Sequence, residues 1–183
     1  MTDRTGARRD NHIRLLTPRG MLMIRADLQD PKVAGTIVHT LAVAMPEARR
    51  IDANDGRELA WMAPDELLAF VPIEEVDEMV HQLQNTLADT HHLVVDVSSM
   101  RKEFEIVGAV RDILAKGTPS DVSPGGLKIR EFRRSRLGQL AAAFWLTENE
   151  SAHILCRRSE TDFMQRWLHA AAFTQNAPQF YHC

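Results

Sequence analysis

Apolar residues recur along this chain with two different periods, and the switches between them mark out its elements. After Gly20 the run Met21 to Leu28 is short and apolar and reads as a first strand. Asp30-Pro31 then opens a helix, with Asp30 as N-cap and Pro31 at the first helical position. Val33, Ile37, Val38 and Leu41 place its buried stripe at helical spacing. From residue 49 to residue 71 the period drops to that of strands. Arg49 to Ala53, the turn signal Asn54-Asp55-Gly56, Glu58 to Met62 and Leu67 to Val71 form a meander.

Pro72 begins the clearest helix, with Val76, Met79, Val80, Leu83 and Leu87 on one face. Glu74, Glu75 and Asp77 crowd its first turns, where the helix dipole favours negative charge. Strands follow at Leu93 to Val97 and Phe104 to Val107. Gly108 leads into a short helix carrying Val110, Ile113 and Leu114, which Gly117 and Pro119 end. After the loop Ser120 to Leu127 come two apolar, strand-like runs flanking the polar break Thr147-Glu148-Asn149-Glu150. A last helix starts at Ser159, where Ser159 and Asp162 have capping-box spacing before Phe163, Met164, Trp167 and Leu168.

The order is β-α-β-β-α-β, then β-α-β-β-α. Each half has the grammar of a split β-α-β unit, so the predicted architecture is α+β, two ferredoxin-like units in one domain. That domain is expected over residues 19–175, between a flexible N-terminal tail, 1–18, and a C-terminal tail, 176–183. The 183 residues suffice for a full core.

Composition narrows the function classes. With 44% hydrophobic and 26% charged residues and a net charge of -3, nothing draws the chain towards nucleic acid or anionic membrane. No apolar run reaches the length of a membrane span, and the polar N-terminal stretch has no apolar leader core. Cys156 in an apolar strand and Cys183 at the last position make a structural disulfide improbable, so a cytoplasmic location is expected.

Four segments, in order, resemble the gamma subunit of heterotetrameric sarcosine oxidase. They are Trp61-Met62-Ala63-Pro64-Asp65-Glu66-Leu67-Leu68, Val94-Val95-Asp96-Val97-Ser98, the stretch Gly108 to Asp121, and the Arg-Leu-Gly-Gln strand with the Arg158-Ser159 helix start. Leu67 stands where that hairpin often has an aromatic residue. The resemblance implies a fold similar to the folate-binding domain of the glycine-cleavage aminomethyltransferase. It also implies a noncatalytic subunit, with alpha, beta and delta subunits as partners. Their complex would oxidatively demethylate sarcosine to glycine, a one-carbon unit and hydrogen peroxide. FAD, FMN, NAD, tetrahydrofolate and zinc would then belong to the partner subunits, with none in this chain. The alternative is a free-standing folate-binding module or aminomethyltransferase-like protein. The Gly-Gly-x-x-Asp-Asp and Lys-Gly-Cys-Tyr-x-Gly-Gln segments of such proteins are not found here.

No residue stands out for chemistry. None of the eight histidines has metal-ligand spacing, and His91 and His92 point to opposite strand faces. His153 and Cys156, three apart on a strand, likewise diverge. Gly125-Gly126 lacks the Lys-Ser/Thr of a phosphate loop and reads as a turn. Asp96 and Ser98 read as side chains bonded to nearby backbone. Phe163, Trp167 and Leu168 read as core. No catalytic, cofactor-binding or metal-binding residue is assigned. The basic cluster Lys128, Arg130, Arg133, Arg134 and Arg136 has three readings: nucleic-acid binding, which no aromatic interleaving and no RNA fold accompanies, a solvated strand face, or a partner surface. Arg133, Arg134 and Arg136 are the candidate interface residues.

Overall fold

A computed structural model of the chain describes residues 11–173. It contains two five-stranded sheets, each covered on one face by two helices. The first sheet has the order β3-β4-β5-β2-β6, from β2 (Gly20–Ala26), β3 (Ile51–Asn54), β4 (Arg57–Ala63), β5 (Glu66–Val71) and β6 (His92–Asp96). The second has the order β8-β9-β10-β7-β1, from β1 (His12–Leu15), β7 (Arg101–Val107), β8 (Arg133–Leu137), β9 (Leu140–Glu148) and β10 (Ser151–Arg157). Helices α1 (Pro31–Leu41) and α2 (Val76–Thr86) cover the first sheet; α3 (Val110–Ala115) and α4 (Thr161–Ala172) cover the second.

The two sheet orders are the same order. β2, β3, β4, β5 and β6 correspond to β7, β8, β9, β10 and β1, so the two ferredoxin-like units are related element by element. The second unit lacks a strand after α4 among the described residues. β1, from the other end of the sequence, fills that place and pairs antiparallel with β7 as β6 does with β2. Residues 12–15, within the expected tail, are therefore a strand. The sequence pattern missed β1 because only Ile13 of its four residues packs on the core, while His12 and Arg14 face outward. The expected C-terminal tail, 176–183, with Cys183, lies outside the described residues.

The other elements follow from local chemistry. The Asp30 side chain accepts from the Lys32 N–H at 2.8 Å and caps α1. Asp55 and Gly56 both take positive φ, 46° and 78°, as a two-residue type I′ hairpin turn requires. Gly138, φ 60°, turns the chain between β8 and β9, which the sequence pattern merged into one run. Two expectations at α4 fail. A 3₁₀ turn over residues 158–160 precedes the helix, so Ser159 sits outside it, and Glu160 at the N-cap makes no side-chain cap bond. Met164, Leu168 and Ala171 are the buried face, whereas Phe163 is 46% exposed.

Gly117 ends α3 without left-handed geometry; its role is space. A Cβ there would stand 2.2 Å from the Trp167 ring, which lies against Gly117 and Gly138.

The sheets pack face to face through a third core. Met21, Ala60, Met62, Leu68 and Phe70 of the first sheet meet Phe132, Ala143, Trp145 and Leu155 of the second. β5 is therefore buried on both faces, Leu67, Ala69 and Val71 towards the helices and Leu68 and Phe70 towards the other sheet. Backbone bonds Ile51 N to Arg130 O, 3.1 Å, and Phe132 N to Arg49 O, 2.8 Å, stitch one corner of this seam.

Candidate partner interface

The inter-sheet seam has two ends with opposite electrostatics. At one end Glu58, Glu103 and Glu105 each have an arginine. Arg19, between β1 and β2, donates from Nε and Nη2 to the two oxygens of Glu103 at 2.8 and 2.9 Å. Its Nη1 lies 2.5 Å from Glu58 Oε2, and its guanidinium sits 3.9 Å from the Phe70 ring centroid. His153 Nδ1 is 2.6 Å from Glu103 Oε1, and Arg14 donates to Glu105 at 2.9 Å. Burial pushes the Glu103 carboxyl up, but the His153 bond and the Arg19 charge outweigh it and hold the acid below its ordinary range.

Both oxygens of Glu103 are thus engaged. A histidine beside two glutamates has the ingredients of acid–base chemistry, yet here it closes a charge network. Sequence reading missed this network because Arg19 and Glu103 are 84 positions apart. Alternation with Phe104 would have put Glu103 in solvent, whereas that face of β7 meets the other sheet.

At the opposite end arginines outnumber the acids that pair with them among the described residues. A cavity of about 500 Å³ is lined by Met23, Val97, Met100, Arg101, Arg157 and Arg158. Arg101 and Arg157 are direct cross-strand partners on β7 and β10. Like charges placed so are destabilising. Burial, then Arg134 and Arg157, lower the Arg101 pKa against the opposing pull of Glu66. Glu66 pairs with Arg25 at 3.1 Å, and Glu160 stands 3.8 Å from Arg157. Among the described residues no carboxylate lies within ion-pair distance of Arg101, Arg134 or Arg158. Beside the cavity, Met100 is 61% exposed, Leu93 46% and Val95 39%. Leu93 and Val95 alternate with buried Val94, which packs on the helices. They therefore lie on the face of β6 that continues the inter-sheet seam and that the second sheet leaves uncovered.

The three candidate arginines separate here. Arg133 donates to Gly126 O at 2.8 Å and contacts Glu131, whose pKa falls because the Arg133 bond and the Lys128 N–H overcome the upward push of burial. It fastens the 123–131 loop to β8, a folding role. Arg134, exposed, donates to Met62 O at 3.0 Å, and its charge reaches Arg101 at the open end. Arg136 is exposed. Arg101 and Arg157 escaped sequence reading because β7 and β10 become neighbours only through the fold. Arg158-Ser159 was legible as a motif, not as part of a cavity wall.

The remaining candidates take structural places. Asp96 Oδ1 accepts from the Ser98 N–H at 2.8 Å and from its hydroxyl, and Ser98 Oγ in turn accepts from Met21 N at 2.9 Å. Cys156 is buried on the helix side, its thiol pushed up to about 11 by burial and then Glu160. Gly126 N donates to Ser123 O, making a turn. Among the described residues no three His, Cys, Asp or Glu side chains converge to hold a metal, and no helix is long and apolar enough to cross a membrane.

This arrangement has relatives. The family model of the sarcosine oxidase gamma subunit family matches residues 25–174. The chain is 31% identical over 115 residues to a sarcosine oxidase subunit gamma of Corynebacterium sp. (strain P-1), covering 62% of this chain and 56% of that protein. It is 30% identical over 129 residues to that of Corynebacterium sp. (strain U-96), covering 69% and 62%. The match thus spans less than two thirds of these relatives' own length. In fold it is similar to a chain of heterotetrameric sarcosine oxidase from Corynebacterium sp. U-96 in complex with pyrrole 2-carboxylate, with TM-score 0.80, 23% identity, and 88% and 83% of the two chains covered. It is also similar to glycine cleavage system aminomethyltransferase T from Bartonella henselae, with TM-score 0.62, 9% identity, and 88% and 46% covered. The fold is therefore the one the two halves predict, and four ordered sequence motifs, one family model and a shared topology agree: the chain belongs to the sarcosine oxidase gamma subunit family.

Proposed function

We propose that this chain is a noncatalytic subunit of a cytoplasmic heterotetrameric sarcosine oxidase, assembled with alpha, beta and delta subunits. The complex demethylates sarcosine oxidatively to glycine. FAD, FMN, NAD, tetrahydrofolate and zinc are carried by the partner subunits, and this chain contributes surface. The family match over residues 25–174 carries the reading. Two features support it: the ionisable groups of the seam are committed to one another at one end, and at the other Arg101 and Arg158, without a carboxylate in ion-pair distance among the described residues, stand with exposed apolar residues.

The test is coexpression with the flavin-bearing subunits of a sarcosine oxidase. The chain is expected to migrate with the flavin absorbance, and omitting it should reduce the yield of assembled oxidase while leaving the bound flavin spectrum of the remaining subunits unchanged. An active oxidase that assembles fully without it contradicts the proposal. Stoichiometric tetrahydrofolate binding by the isolated chain would favour a folate module instead.

A further inference from the structure

The open end of the seam has the composition of a docking site. Three guanidiniums, Arg101, Arg157 and Arg158, ring a cavity whose other walls are Met23, Val97 and Met100. Arg134 adds its charge to Arg101, while Glu66 pulls on Arg101 and Glu160 stands 3.8 Å from Arg157. The apolar surface continues outward along β6 through Val95 and Leu93; Val95 pairs with Met23 of the cavity wall. Among the described residues β6 is an edge strand, bonded to β2 alone. Its counterpart in the second sheet, β1, presents His12 and Arg14 on the corresponding face, and Arg14 is already paired with Glu105. Charge on an edge strand discourages pairing with other chains; exposed apolar residues do not.

We propose that this end receives one extended segment of a larger subunit, carrying at least two carboxylates and an apolar side chain. The apolar group fills the cavity over Met23 and Met100, the carboxylates engage Arg101 and Arg158, and the segment continues along Leu93 and Val95. Charge complementarity selects the occupant. The cross-strand Arg101–Arg157 pair is repulsive in the free chain, and a bound carboxylate turns it into a clamp with paired, strong hydrogen bonds. The inference rests on the reading of the chain as a subunit and adds the surface and chemistry of assembly.

The experiment places a benzophenone amino acid at Leu93 in the full chain, coexpressed with the flavin-bearing subunits, and maps the photo-cross-link by mass spectrometry. A cross-link to an acidic segment of a larger subunit is expected. Arg101→Glu with Arg158→Glu should reduce it at least tenfold while the variant's own melting transition persists. Met100→Asp, at a residue too exposed to disturb the core, should reduce it as well and serves if the double variant unfolds. An assembled complex whose cross-link runs to a second copy of this chain or to a segment without carboxylates overturns the proposal, as does absence of a cross-link or indifference to the substitutions. Failure of the unsubstituted chain to join the flavin-bearing subunits overturns the subunit reading and this occupant with it.

Discussion

The two ends of the inter-sheet seam share strands β7 and β10, yet one satisfies its charges internally and, among the described residues, the other does so only in part. At the closed end Arg14, Arg19 and His153 answer Glu58, Glu103 and Glu105 within the chain. At the open end Arg101 and Arg157 stand side by side across β7 and β10. A buried pair is costly to break because it leaves a charge with neither water nor partner. Arg101, with no carboxylate in ion-pair distance among the described residues and a like charge across the ladder, adds no charge pairing to the fold. The first end thus belongs to folding and the second to association.

Breaking the closed end should give the largest effects. Removing residues 1–16 takes away β1 and the Arg14–Glu105 pair. At about 1 kcal/mol per lost ladder bond, the four-residue strand is worth roughly 4 kcal/mol, readable as a lower denaturant midpoint. Glu103→Ala should cost about 3 kcal/mol, the low end for removing one member of a buried pair, because Arg19 keeps 25% of its side chain exposed and can turn outward. The same carboxyl gives a pH signature. Its folded pKa lies below the ordinary 4.5, so its contribution is complete above that value and is lost as the pH falls through the lower folded one. Thermal melts of the unsubstituted chain should therefore fall more steeply with acid than those of Glu103→Gln; parallel curves would remove the network from the account.

The candidate arginines sharpen the contrast at smaller scale. Arg133→Ala leaves buried Glu131 short of its main partner and should cost about 1–3 kcal/mol. Arg136→Ala should stay within about 0.5 kcal/mol. Arg101→Met, which relieves repulsion from Arg157 and Arg134, should change stability by no more than about 0.5 kcal/mol and in the stabilising direction, as urea titrations of the isolated chain would show.

Much of this fold is legible in local sequence, because the helices and inner strands carry periodicity and caps that need no distant partner. Asp30-Pro31, the Asn54-Asp55-Gly56 turn and the one-sided face of Val76, Met79 and Leu83 are all of this kind. What stays hidden depends on contacts made late. β1 is a strand only because β7 offers its edge. Glu103 is buried only because a second sheet covers the face it shares with Arg101 and Glu105. Gly117 reads as a helix stop, but its missing side chain makes room for Trp167, fifty positions on. Among the candidate site residues, a run of arginines on one strand was visible, yet strand alternation sends Arg133 to a loop and Arg134 to the seam. The Arg101 and Arg157 that complete the cluster meet only through the β7–β10 register.

Hydrogen exchange tests most directly the claim that one end of the seam folds the chain and the other assembles it. The chain would be compared free and coexpressed in complex with the flavin-bearing subunits. The account predicts new protection over residues 93–101 and 157–159, with little change over residues 103–107 and 152–154, already protected in the free chain. Protection that appears instead around β1 and the Arg14–Glu105 pair, leaving residues 93–101 as exchangeable as before, would contradict it.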